Sequence, residues 1–137
     1  LQIIFGAFVS GMDAGKIYNT WPLMGENYFP DDNKISHLFD FKAIEDRSLV
    51  QFIHRNLAYI IVFIYLIFLF KIIKNKLEGM YFSIVLIGLI LLVQVVLGVL
   101  TILSGAKIVY ASLHQINSIL LVTSSIYFFY INQNKKI

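Results

Sequence analysis

Apolar residues gather into long runs along this chain instead of alternating with polar ones. Three runs reach the roughly 20 residues that a helix needs to cross a bilayer. The first extends from Leu49 to Phe70 and is interrupted by His54, Arg55 and Asn56. The second, Met80 to Leu103, holds one strongly polar residue, Gln94. The third, Val109 to Ile131, carries His114, Gln115 and Asn117 near its start. A backbone in hydrocarbon must close its own hydrogen bonds, so each run predicts an α-helix. A fourth apolar stretch, Leu1 to Met12, gives about 18 Å of helix, short of a hydrocarbon core of about 30 Å. It lacks an initiator Met and the basic flank of a signal peptide. It reads as the C-terminal end of a span whose beginning is missing, which makes the chain a fragment of a longer protein. The pattern predicts an all-α integral membrane domain over residues 1–137, with spans at about 1–12, 48–71, 80–103 and 109–131 and an outer loop at 13–47. No short repeat or low-complexity tract is visible.

Composition agrees. The chain is 58% hydrophobic and 14% charged, against about half and about a quarter in soluble domains. Disorder and a solvated binding surface are thereby excluded. With no cysteine, disulfides, thiolate metal sites and cysteine catalysis are excluded as well. The net charge of +3 turns into a topology signal once the charges are placed. Residues 13–47 carry seven acids and four bases, while 71–79 carry three Lys and one Glu. Lys135 and Lys136 follow the last span. Positive loops stay on the cytoplasmic or matrix side, so the loop at 71–79 and the C-terminus face in. The acidic loop and the turn Ser104–Lys107 face out. The lysines sit at helix ends and form no basic stripe, so nucleic acid is not an expected partner. Loop 13–47 is long for a compact domain, a mark of function or local structure. Its Tyr18, Trp21, Tyr28 and Phe29 suit a segment lying against the membrane surface.

Few polar residues lie inside the spans, and two of them match. His54 is about six residues inside its helix from the outer side, and His114 about five. Both imidazoles therefore lie roughly 8–9 Å below the outer surface. Ionisable groups inside a span default to a functional hypothesis, and two imidazoles on facing helices suit the axial positions of a heme iron. Gln94, Gly98, Thr101 and Gly105 share one face of the middle span, where glycine permits close approach. Arg55 and Lys107 lie near the outer surface, placed to pair with heme propionates.

Each residue also has a plainer reading. A single membrane histidine is often a hydrogen-bonded packing residue, and Gln94 a cross-helix hydrogen-bonding group. Arg55 can anchor the helix end against an acid of the outer loop, or snorkel. A zinc site lacks further ligands nearby in sequence. His37 reads as solvated, and Asp31-Asp32 as a solvated turn after Pro30. Neither that pair nor Glu45-Asp46 has the setting of a general acid/base pair.

Several motifs carry a resemblance. Gly6-Ala7-Phe8-Val9-Ser10-Gly11-Met12-Asp13-Ala14-Gly15 followed by Tyr18-Asn19-Thr20-Trp21-Pro22-Leu23-Met24-Gly25 resembles the signature of the heme A synthase family. Gln51-Phe52-Ile53-His54-Arg55 with Ala58-Tyr59 is similar to its His-Arg motif. Gln94-Val95-Val96-Leu97-Gly98-Val99-Leu100-Thr101 is similar to its Gln-x-x-Leu-Gly-x-x-Thr span, and His114-Gln115 to its last histidine motif. The matches occur in the family's order and cover nearly the whole chain. The resemblance implies one four-helix half, the C-terminal one, of an eight-span protein built as two repeats. It implies an oxidoreductase of heme biosynthesis that oxidises a methyl group of heme o to the formyl group of heme a, for cytochrome oxidase. It also implies a heme b in this half, with His54 and His114 as metal ligands to its iron and electron transfer as its task. Arg55, Gln94, Gly98 and Lys107 would be further cofactor-binding residues. Where the other half carries a Glu before its His-Arg, this chain has the neutral Gln51. The catalytic residues are thus expected in the absent N-terminal half, itself a partner of this one. The electron-transfer partner is unassigned. The implied location is the bacterial cell membrane or the mitochondrial inner membrane. The competing readings are a stand-alone membrane cytochrome b electron carrier and an assembly protein without a cofactor. The Asn19–Met24 run favours the synthase, because a simple carrier has no need of it.

Overall fold

A computed structural model describes residues 1–134 of the chain. Lys135 and Lys136, expected on the inner side, lie outside the described residues. Five α-helices follow in order: α1 (Gln2–Gly11), α2 (Lys42–Glu45), α3 (Arg47–Lys74), α4 (Tyr81–Leu103) and α5 (Ile108–Asn134). Short 3-10 turns occupy Ala14–Lys16, Ile35–Phe39 and Glu78–Met80. Among the described residues, extended pairing is limited to one bridge between Met24 and Asn27. The apolar runs at 49–70, 80–103 and 109–131 all fall inside helices.

Local signals set the boundaries. Asp46 caps α3, its carboxylate accepting from the backbone N–H of Ser48 (2.9 Å) and Leu49 (3.1 Å), which satisfies two of the free donors at the helix start. Lys71 and Lys74 sit in the last turn of α3, where cations complement the helix dipole. The turn between α4 and α5 passes through Gly105 at φ 70°, a conformation that glycine adopts without steric cost.

Among the described residues two helices, α3 and α4, are long and apolar enough to cross a membrane. Their 28 and 23 residues correspond to about 42 and 34 Å of helix. Most of their apolar side chains are uncovered: Phe63, Phe70, Phe82 and Leu92 are all more than half exposed. A helix with apolar residues all round and little cover belongs in lipid, and the chain is a membrane protein. The third expected span differs. At 27 residues α5 is long enough, but His114, Gln115, Asn117, Ser118, Thr123, Ser124 and Ser125 keep it out of the strongly apolar class. Part of this polarity is turned inward: Asn117 is buried, its amide donating to the carbonyl of Ile90 on α4 (3.1 Å).

The helices meet in pairs. α4 packs extensively along α5, α1 lies on the N-terminal half of α3, and α3 meets α4 more narrowly. At that last contact the Tyr65 hydroxyl donates to the Ile84 carbonyl (3.1 Å) directly over Gly88. A Cβ on Gly88 would stand 2.0 Å from the Tyr65 oxygen and 2.7 Å from its ring. Gly88→Ala should therefore lower stability by about 1–3 kcal/mol, the range for overpacking. Tyr65→Leu should recover part of that loss in the double variant. Thermal unfolding in detergent of the two single variants and the double variant measures the coupling; strictly additive losses would contradict the contact.

Candidate functional site

Loop 13–47 folds into a cap on the N-terminal end of α3. Met24 and Pro30 are fully buried within it. The rings of Tyr28 and Phe29 pack edge-on against Phe52, with centroids 5.7 and 5.0 Å away. The Trp21 indole donates to the Tyr59 hydroxyl (3.1 Å), and the Tyr28 hydroxyl to Asn56. The aromatic residues expected at the membrane surface thus rest on α3, though Trp21 and Tyr28 keep about half their area open.

Arg55 ties this cap down. Its guanidinium is buried, and it donates to the backbone carbonyls of Thr20 (2.9 Å), Leu23 (3.2 Å) and Tyr18 (2.9 Å). Gln51, one turn earlier, donates to the same Tyr18 carbonyl (3.2 Å). The loop partner of Arg55 is therefore peptide carbonyl and not the acid that the sequence offered. A planar five-donor fork suits several diverging acceptors as an ammonium does not.

The loop acids are also used. Tyr18 donates its hydroxyl to Asp31 and Asp32, and Ser48 donates to Asp32. Asn33 donates to the capping Asp46 (3.0 Å), and its own oxygen meets Nδ1 of His37 (3.0 Å). So neither Asp31-Asp32 nor His37 is merely solvated, as expected from the sequence: each is a tie point of the cap. Burial of the hydroxyl, then its bond to Asp31, pushes the Tyr18 phenol above its usual range. The phenol consequently keeps its proton, and can donate it, up to and beyond the ordinary tyrosine value of about 10. A proton raised in this way contributes stability below that pH and loses it as the phenol ionises.

Beneath the cap the two histidines meet. The His54 and His114 ring centroids lie 6.4 Å apart, with 78° between the ring planes. His54 comes from α3 and His114 from α5, so the pair joins the two helix pairs. Each ring is seated on a glycine of its neighbouring helix. A Cβ on Gly6 of α1 would come within 3.2 Å of His54 Cε1, and a Cβ on Gly98 of α4 within 3.1 Å of His114 Cε1. Each ring also meets a glutamine amide one turn before that glycine: Gln2 Nε2 is 3.4 Å from His54 Nε2, and Gln94 Nε2 is 3.3 Å from His114 Nε2.

Around His114 the bonding fixes the protons. Nδ1 lies 3.1 Å from the backbone carbonyl of Gln94. A carbonyl only accepts, so Nδ1 carries the hydrogen and Nε2 the lone pair. The Gln94 amide is oriented by Asn117, whose nitrogen donates to Gln94 Oε1 (2.7 Å), which leaves its N–H to face Nε2. The absent side chain at Gly98 is what lets the ring reach a main-chain carbonyl on α4.

Of the six candidate residues, His54, His114, Gln94 and Gly98 come together. Arg55 is next to His54 in sequence, with its guanidinium directed to the loop. Lys107 stands exposed at the turn before α5, its backbone N–H 3.3 Å from Ser104 Oγ. Sequence reasoning missed Gln2 and Gly6. The signal was present: Gln2-Ile3-Ile4-Phe5-Gly6 repeats the spacing and polarity of Gln94-Val95-Val96-Leu97-Gly98. Both strings place a glutamine and a glycine one turn apart on the face that meets a histidine. Asn19 links the halves on the outer side, donating to the carbonyls of Gly15 (2.9 Å) and Ile102 (3.0 Å).

An all-helical membrane protein with a half-buried imidazole pair between helices, capped by a folded loop, is the class that fold and site define. The chain belongs to the COX15-CtaA family of cytochrome oxidase assembly proteins, whose model matches residues 1–126. It is similar to curated proteins named heme A synthase. The protein of Pelagibacter ubique is 40% identical over 134 residues, 98% of this chain and 39% of the relative. That of Wolbachia pipientis is 40% identical over 128 residues, 93% of this chain and 35% of the relative. That of Rickettsia bellii is 40% identical over 137 residues, 98% of this chain and 40% of the relative. The chain thus spans about two fifths of the length of these relatives. No solved structure matches it.

The clamp separates two roles for Arg55. Arg55→Lys keeps the positive charge but not the fork, so it should loosen the cap. Limited proteolysis within residues 13–46 should speed up several-fold while the α3–α5 core stays resistant. Unchanged cleavage would mean that the three carbonyl bonds do not hold the loop.

Proposed function

We propose that this chain is the heme-carrying part of an enzyme of heme A biosynthesis, with His54 and His114 as the two axial ligands of one heme b iron. The overall reaction would be oxidation of a heme o methyl group to the formyl group of heme a. The observation that carries the ligand assignment is the 6.4 Å between ring centroids. Ring bonds of about 1.33 Å put an imidazole nitrogen about 1.1 Å from its centroid. With metal–imidazole bonds of about 2.0–2.1 Å, two imidazoles on opposite sides of one iron have centroids about 6.3 Å apart. Both Nε2 atoms meet the amides of Gln2 and Gln94, so these amides would have to turn aside for the imidazoles to hold the iron. The donor set, two imidazoles from separate helices, suits a heme iron.

Held by His54 and His114, a heme would supply one-electron transfer. Turning a methyl into a formyl group with water as the source of the oxygen atom releases electrons and protons, so a carrier next to the substrate site has a clear use. The residues of this chain set the carrier's properties. The bond from His114 Nδ1 to the Gln94 carbonyl fixes the tautomer and makes Nε2 the stronger ligand. Gly6 and Gly98 give both rings room at the helix surface. Arg55 acts on the heme through the cap it holds in place, and Lys107 is the outer cation positioned to meet a propionate. The catalytic groups and the binding of heme o belong to the rest of the length seen in the relatives. α5 is taken as a third span, its polar face covered by α4, with the acidic cap on the outer side and the 71–79 lysines inside.

Hemin titration in detergent tests the ligand set. The chain should give a low-spin b-type spectrum, and both His54→Ala and His114→Ala should lose that six-coordinate signature. In cells, the same substitutions in the protein that carries this chain should raise the ratio of heme o to heme a in extracted pigments at least ten-fold. A low-spin spectrum that survives both substitutions would refute the assignment.

A further inference from the structure

The two imidazoles are held alike on one side and differently on the other. Each has a glycine beneath Cε1 and a glutamine amide at Nε2, set one turn apart on the neighbouring helix. At His114 every remaining polar atom is also met: Nδ1 by the Gln94 carbonyl, and the Gln94 oxygen by Asn117. At His54 neither counterpart exists. His54 Nδ1 and Gln2 Oε1 are both buried without a hydrogen-bond partner. His54 Nδ1 therefore makes no counterpart of the bond from His114 Nδ1 to the Gln94 carbonyl, and Gly6 keeps Nδ1 farther off (3.7 Å from the would-be Cβ) than Gly98 does (3.5 Å).

This difference bears directly on ligand strength. A ligating imidazole is held and made more basic by what its other nitrogen bonds, and loss of such a partner typically weakens metal affinity by about 10–100-fold. His114 has that partner and His54 does not. We propose that the two histidines are unequal ligands: His114 is the fixed anchor of the heme iron, and His54 is the exchangeable one, so that a small neutral ligand reaches the iron on the His54 side. This rests on the heme reading above and goes beyond it, because it assigns the two axial positions different tasks. Exchange breaks the iron bond to the His54 nitrogen and forms one bond to the incoming ligand, with no change in the oxidation state of iron. The environment allows it: His54 is backed by α1, where Gln2 and Gly6 meet its ring. His114 is backed by α4, joined to its own helix by the tight turn 104–107.

The test uses hemin, imidazole and carbon monoxide on the full chain in detergent. His54→Gly should keep hemin within about ten-fold of the unaltered affinity in a five-coordinate, high-spin state, and added imidazole should restore the low-spin spectrum. His114→Gly should lose at least ten-fold more affinity, with imidazole restoring little. Reduced, unaltered chain should bind carbon monoxide and give the same complex as His54→Gly. Equal affinities, the reverse order, or a carbon monoxide complex matching that of His114→Gly would overturn the proposal. His54→Gln and His114→Gln, closer in size and polarity, repeat the comparison if a glycine variant does not fold. If unaltered chain with hemin gives no low-spin spectrum, the heme reading itself fails and this one with it. A normal spectrum with equivalent variants defeats only the inequality.

Discussion

A polar side chain inside the hydrocarbon layer has no water to bond, so the chain itself must meet it. That constraint organises the interior. Asn117 turns to Ile90 and Gln94, Gln94 turns to His114, and His114 turns back to the Gln94 main chain. The α4–α5 pair is consequently closed by a continuous polar thread as well as by apolar packing. The same need draws Tyr65 to the Ile84 carbonyl and Gly88 into the α3–α4 contact. Satisfied networks of this kind specify one arrangement of helices, because any slip strands several groups at once.

The outer cap answers the same demand at the end of α3. Arg55 and Gln51 lie deep enough to be buried, and they take main-chain carbonyls from residues 18–23 as partners. The loop so fixed brings Trp21, Tyr28 and Phe29 down on α3, and Asn19 across to Ile102 at the end of α4. Gly15 then lies close to the turn before α5, where a Cβ added to it would meet that of Ala106 at 3.4 Å. A cation beside the histidine thus does structural work at a distance: it roofs the site by folding a loop whose own apolar core is small.

How much of this was legible follows from what sequence encodes directly. Helix rise is constant, so the common depth of His54 and His114 could be counted off the two apolar runs, and their meeting followed. Gln94 and Gly98 were readable because they break an otherwise apolar run. Gln2 was not, since it opens a short stretch with no preceding turn against which to judge its face. Its kinship with Gln94 shows only when both are seen beside a histidine. The partners of Arg55 are peptide carbonyls, which every residue has, so no side-chain pattern could announce them. Tyr18, Asp31, Asp32, Asn33 and His37 looked solvated because their mutual bonds depend on the path of the loop and not on spacing. The polar face of α5 made its apolar signal weak, for the very reason that this face is used.

Loop length explains why the two histidine units differ in finish. Turn 104–107 forces α4 and α5 into antiparallel contact within a few residues, leaving little freedom in how His114 meets Gln94. Between α1 and α3 the chain runs through all of residues 13–47. Ordering a longer connection carries a larger entropic cost, and it constrains the relative placement of its ends less tightly. The cap restores part of that constraint through Arg55, but it acts at the N-terminal end of α3, on the loop and not on α1. α1 meets His54 with one long amide contact and one glycine. A repeated glutamine–glycine–histidine unit therefore gives two unlike sites from one pattern: fully bonded where the connection is short, and with an unpartnered ring nitrogen where it is long.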